Sequence, residues 1–166
     1  MSREALFIRD VFPSGKSIVG ISLPKNEDYY QIVKANKKRG LKQVSLSSNI
    51  LLNVLCYYFA EKHARLISIK LLAPIQDNSK LTNCAFEELI NQACAKTNQN
   101  RDSVVYVLEY LTQALAKDCE IKEITLADQQ STFSLNLAGI VETSASKAKF
   151  GELTKIIEKC WKNALS

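Results

Sequence analysis

Residues 84–137, CAFEELINQACAKTNQNRDSVVYVLEYLTQALAKDCEIKEITLADQQSTFSLNL, carry the pattern from which the fold is read. Phe86, Leu89, Ile90, Ala93 and Cys94 fall at i, i+3, i+4, i+7 and i+8, one apolar stripe at the helical period. Thr97-Asn98-Gln99-Asn100 is a polar turn, and the Asn100 side-chain oxygen suits a helix cap. A second helix is expected from Arg101 to about Lys117, burying Val104, Val105, Leu108, Leu111 and Leu115. From Ile124 the period drops to two, in Ile124-Thr125-Leu126 and again in Phe133-Ser134-Leu135-Asn136-Leu137. That alternation predicts a β-hairpin with Asp128-Gln129-Gln130 as its turn. The pattern describes a scaffold, and it contains no catalytic motif.

On the N-terminal side of this stretch, residues 5–23 predict another hairpin. Leu6-Phe7-Ile8 and Ile18-Val19-Gly20-Ile21 are its strands, and Phe12-Pro13-Ser14-Gly15 fits a type I turn. Gly15-Lys16-Ser17 matches the end of a P-loop, but Asp10 stands where the loop's first glycine belongs. A strand also follows where phosphate binding needs a helix N-terminus. A short helix is expected from about Glu27, with Tyr29, Ile32 and Val33 inward and Gly40 as its stop. Ser47-Ser48 caps a helix running to about Lys62 whose Ile50, Leu51, Leu52, Val54, Leu55, Tyr57, Tyr58 and Phe59 nearly encircle it. Such a helix must be covered on most sides, by the rest of the chain or by a second copy.

Ile67–Leu72 reads as a strand ended by Pro74, and the polar run Gln76–Lys80 as a boundary. The expected organisation is a first module over 1–75, a β-hairpin with two helices and a strand, and a second over 76–166, the two being able to pack as one domain. A final helix, Ala148 to about Ala164, sets Phe150, Leu153, Ile156, Ile157, Cys160, Trp161 and Ala164 on one face. The fold class is α+β, helices packed on small antiparallel sheets.

The chain has 166 residues, 46% hydrophobic and 23% charged, enough apolar material for a core and too much for a disordered segment. Its net charge of +5 tilts it toward anionic partners without the charge density of a dedicated histone-like protein. Arg3, Glu4 and Arg9 interrupt what would have to be the apolar core of a secretory peptide, so none is expected. The most apolar run, Ile50–Ala60, is broken by Asn53 and too short to span a bilayer. A soluble, intracellular protein, in cytoplasm, nucleoid or nucleus, with no membrane partner is the expectation.

Cys56, Cys84, Cys94, Cys119 and Cys160 include no C-x-x-C pair, and His63 is the sole histidine. These cysteines read as small buried hydrophobes in a reducing compartment, so no metal and no cofactor are expected. Nothing but His63 is available to act as a histidine base. The paired acids Glu87-Glu88 and Glu27-Asp28 fall in expected first turns of helices, where negative charge is favourable without any catalytic purpose. No enzyme is predicted.

Glu88-Leu89-Ile90-Asn91, Asn100-Arg101, Val107-Leu108-Glu109 and Ser131-Thr132-Phe133-Ser134-Leu135 together resemble the HU/IHF family of small DNA-binding architectural proteins, and Phe150-Gly151-Glu152-Leu153 echoes the start of that family's final helix. The resemblance covers about half the chain. It implies a DNA-binding fold, assembled as a dimer or as a pseudo-dimer within one chain. Gln129 and Gln130 stand where the family carries a glycine-containing turn, and the dozen residues between Leu137 and Phe150 contain no proline and no long basic arm. Bending of a duplex by an inserted wedge is therefore not expected.

The densest basic cluster is Lys34, Lys37, Lys38 and Arg39 at the expected end of the short helix, with Lys42 beyond. Cations there complement the helix dipole and are suited to phosphate contacts. Arg101, Lys147 and Lys149 are secondary candidates. Tyr57, Tyr58 and Phe59 offer rings on which a single strand would stack, or else core. The functional expectation is a non-enzymatic nucleic-acid-binding protein, DNA ahead of RNA, forming a homo-oligomer. The alternative is a structural or adaptor domain that binds another protein.

Overall fold

The structure, a computed structural model, describes residues 1–11, 15–71, 101–115 and 120–165. Two strands open the chain, β1 (Ser2–Val11) and β2 (Gly15–Ser22), followed by α1 (Tyr29–Lys38), β3 (Lys42–Gln43), α2 (Ser48–Glu61) and β4 (Arg65–Leu71). After the stretch outside the described residues come α3 (Arg101–Leu115), β5 (Ile121–Ala127), β6 (Thr132–Asn136), β7 (Ile140–Thr143) and α4 (Lys147–Leu165).

In place of the small sheets expected, there is one antiparallel sheet of seven strands, ordered β2-β1-β7-β6-β5-β4, with β3 also paired to β1. The unforeseen strand β7 makes the difference. It pairs with β6 through Leu135↔Val141 and with β1 through Ala5↔Ile140, joining the two hairpins edge to edge. Its four residues lie in a link of small polar side chains with too short a pattern to announce a strand. Strands from 1–75 and from 76–166 thus share one sheet, with β1 beside β7 and β4 beside β5. The boundary proposed at 76–80 lies outside the described residues.

Side chains alternate across this sheet. Leu6, Ile124, Leu126, Phe133, Leu135 and Val141 point to one face, where α2 and α4 pack and the main core forms. Ala5 and Phe7 point to the other, under α1, with Leu23 and Ile32. Because β1 is covered on both faces, its sequence is a continuous apolar run, Ala5-Leu6-Phe7-Ile8. Strand β6, covered on one, shows strict alternation in burial.

Helix α2 finds its covering within this chain. Ile50, Leu51, Leu52, Val54, Leu55, Tyr58 and Phe59 are all buried, against α4, β5 and α3. Ser47 caps it by accepting from Ile50 N at 3.3 Å, and Ser48 Oγ accepts from Ile121 N at 2.9 Å, fixing its first turn to β5. The tyrosine platform considered for stacking is not one. Tyr58 is buried with its ring 4.8 Å from that of Phe133, Phe59 is buried, and Tyr57 is half-buried against the core.

Helix α3 is rotated from the expected setting: Val104 and Val107 are fully buried, whereas Val105 is 41% exposed. Val104, Val107 and Leu108 form the i, i+3, i+4 stripe that meets the core. In α4, Leu153, Ile156, Ile157 and Cys160 are buried as expected, Phe150 and Trp161 pack against the core, and Ala164 is exposed. The expected helix in 84–96, its turn, residues 12–14 of the first turn, Pro74, Cys84, Cys94 and Cys119 lie outside the described residues, as do the side chains of Leu111 and Leu115.

Candidate nucleic-acid interface

Asp28 starts α1, accepting from Tyr30 N at 3.1 Å. The inward side consists of Tyr29, Ile32, Val33 and Asn36, at i, i+3, i+4 and i+7. Asn36 is buried and its Nδ2 donates to Ile32 O at 2.8 Å, which satisfies a polar side chain inside the apolar seam. With that side on the sheet, Tyr30, Lys34, Lys37 and Lys38, at i, i+4, i+7 and i+8, form a solvent-facing stripe. Arg39 follows as the C-cap, exposed; Lys42 on β3 is exposed too, but it pairs with Ile8 and so leaves the sheet on the face opposite α1, apart from this stripe.

This ridge is held firmly. Tyr29 Oη donates to Ala138 O at 3.2 Å and accepts from Gln43 Nε2, so α1, β3 and the β6–β7 link are tied at one hydroxyl. Desolvation raises the Tyr29 hydroxyl above the ordinary phenol range, with the Gln43 hydrogen bond opposing it. β3 in turn pairs with β1 at Phe7↔Gln43 and Ile8↔Lys42.

Electrostatically the ridge stands alone. No acidic residue occurs between Asp28 and Glu61. Among the described residues, none of Lys34, Lys37, Lys38, Arg39 and Lys42 belongs to an ion pair. Arg9, two residues beyond Phe7 on β1, falls on the same face of the sheet by alternation and is exposed. No family model, no curated protein and no solved structure matches this chain.

The secondary candidates do not join this surface. Lys147 and Lys149 begin α4, on the opposite face of the sheet, where Phe150 lies against Gly20. Lys149 Nζ is 3.4 Å from Asp128 Oδ2 and half-buried. Lys147 is exposed near Glu4, whose carboxyl burial pushes up and Lys147 partly draws down. Arg101 opens α3, and its side chain is outside the described residues.

Around Lys149 the ion pairs close on each other. Lys62 Nζ meets Glu152 Oε1 at 2.5 Å, and Tyr58, Ser131 and Thr143 line the same cleft, whose space of about 30 Å³ is near that of one water molecule. Burial works against the Asp128 charge. Hydrogen bonds from Gln130 N, Ser131 N and Ser131 Oγ, with the Lys149 ammonium, outweigh it and hold the carboxyl below its usual range. Burial, reinforced by Glu152 and Asp128, raises the Tyr58 hydroxyl instead. This knot ties the β5–β6 turn to α4.

His63 is exposed just past α2 with φ 50°, between Lys62 N and Ala64 N, which both donate to Tyr58 O. Cys56 is half-buried and Cys160 buried, and burial raises both thiols. Among the described residues no His, Cys, Asp and Glu side chains group as a metal site, and no helix is long and apolar enough to cross a membrane.

Sequence reasoning found the cations of the ridge because they are adjacent in the chain. It missed Tyr30, which is 65% exposed. The signal for Tyr30 was present: once Ile32, Val33 and Asn36 face inward, position 30 must align with Lys34.

Proposed function

We propose that this chain is a non-enzymatic, intracellular nucleic-acid-binding protein of architectural type, meeting phosphates through the basic ridge of α1. The observation that carries the reading is the run of Lys34, Lys37, Lys38 and Arg39, all exposed, along and at the end of a rigidly anchored helix with no acidic side chain in that part of the chain; Lys42, also exposed, adds positive charge from the other face of the sheet. Unpaired lysine and arginine on one rigid edge release counterions when a phosphate backbone docks. They fix register rather than read bases, since no side chain here is presented as a recognition helix would present it. DNA is the first candidate ligand.

An HU/IHF-like second half and self-association belong to the same proposal. The succession of α3, the β5–β6 hairpin and α4, with β7 intervening before α4, is what supports the first. Light scattering in solution tests the second, because α2 by itself makes no demand for another copy. The primary test is a gel-shift series on duplex DNA with the parent protein and with Lys37→Glu/Lys38→Glu. The proposal expects the reversal to weaken binding strongly.

A second reading, docking of a protein partner, rests on α3, where Val105 and Tyr106 are 41% and 63% exposed. Truncating both to alanine would then abolish capture of that partner and leave the gel shift intact.

A further inference from the structure

We propose that the ridge takes single-stranded nucleic acid, one base stacking on Tyr30 while the adjoining phosphates lie on Lys34, Lys37 and Lys38. This rests on the reading that the ridge meets phosphates, and it names the form of the ligand. Tyr30 is 65% exposed, so the face of its ring is open to a ligand. Among the described residues the other exposed large hydrophobics are Met1, Val105 and Tyr106, none of which belongs to the basic ridge. At a rise of about 1.5 Å per residue, Lys34 lies about 6 Å along the helix from Tyr30, and Lys37 and Lys38 about 10–12 Å.

An aromatic face followed along one stripe by cations is the combination that single strands need, because each base has a free π-face and each linkage a charge. A duplex keeps its base faces inside the stack and offers Tyr30 nothing. Glu27 and Asp28, both exposed at the N-terminal end of α1, repel phosphate there. The backbone is therefore directed from Tyr30 toward Arg39 at the C-terminal end of the helix, which gives the strand a path. Either sugar fits this chemistry, so DNA and RNA are separate arms of the test.

Fluorescence anisotropy with a labelled oligothymidine, an oligouridine and a duplex of equal length, at one low salt concentration, tests the proposal. The proteins compared are the parent, Tyr30→Ala, Tyr30→Phe and Lys37→Glu/Lys38→Glu, each checked for fold by circular dichroism and Trp161 emission. The expected result is a roughly ten-fold loss of single-strand affinity in Tyr30→Ala. Tyr30→Phe should stay near the parent, and the duplex should be unaffected by either change. Loss on only one of the two single strands supports the proposal and says which of them the ridge takes. Unchanged single-strand binding in Tyr30→Ala, or an equal loss on the duplex, overturns it. In that event the reading of the ridge as a phosphate site survives if Lys37→Glu/Lys38→Glu still weakens all three ligands. If the charge reversal weakens none, it is the phosphate reading that fails.

Discussion

The ring of Phe150 lies directly over Gly20: a Cβ built on Gly20 would stand 2.4 Å from Phe150 Cε1 and 2.6 Å from Cζ. Gly20 pairs with Leu6 across β1 and β2, so this contact seats the first turn of α4 on the face of the sheet that holds the main core. The first hairpin and the last helix meet at a backbone position with no side chain to spare.

Gly20→Ala should therefore cost about 1–3 kcal/mol through overpacking. Phe150→Leu, which alone also destabilises, should recover part of that loss when combined with it. Chemical denaturation of the two single variants and the double variant checks this. Strict additivity would mean that ring and glycine do not press on one another.

Gly139 presents a different constraint. It is buried, with φ +72°, and a Cβ there would lie 2.9 Å from Val44 O and 3.3 Å from Val44 Cβ. Its carbonyl accepts from Leu6 N at 2.8 Å, and the neighbouring Ala138 carbonyl receives the Tyr29 hydroxyl. Gly139→Ala should cost roughly 2–4 kcal/mol, the left-handed backbone and the clash adding together. Thermal melts followed by Trp161 emission measure it; a change under about 0.5 kcal/mol, the usual range for a surface substitution, would contradict the packing described here.

Asp128 predicts a response to acid. Its folded-state carboxyl titrates below the ordinary value of 3.8, so the stability it adds is complete above that value and is lost as pH falls through the folded one. Asp128→Asn keeps the shape but not the charge. It should be less stable than the parent by about 1 kcal/mol at neutral pH. The gap should close in strong acid, where the parent carboxyl is also neutral. Urea melts across the acid range read the difference, and a gap independent of pH would show that the charge contributes nothing.

Much of this architecture was legible because local periodicity was strong. Helices α2 and α4 and both hairpins follow from apolar spacing that admits one burial pattern. Strand β7 was not, since what makes Ile140-Val141-Glu142-Thr143 a strand is a pairing with Ala5 and Leu135, far away in the chain. The rotation of α3 was hidden for another reason. Val104, Val105, Val107 and Leu108 are all apolar, and only the position of α2 decides which of them faces inward.

For the candidate site, Lys34 to Lys42 could be read directly from a stretch without acids. Lys149 could not be distinguished from them, because its partner Asp128 reaches it across a hairpin turn. Tyr30 was concealed beside Tyr29, which has the same side chain and the opposite orientation.

The central claim is that the basic ridge of α1 binds a polyanion through its cations, and the salt dependence of binding tests it most directly. Equilibrium titrations of the parent and of Lys37→Glu/Lys38→Glu over a range of salt give log K against log salt. The account predicts a straight decline for the parent, with slope about −0.9 for each duplex phosphate neutralised, or about −0.7 on a single strand. The variant should bind more weakly with a shallower slope. A flat response in the parent, or identical lines for the two proteins, would contradict it.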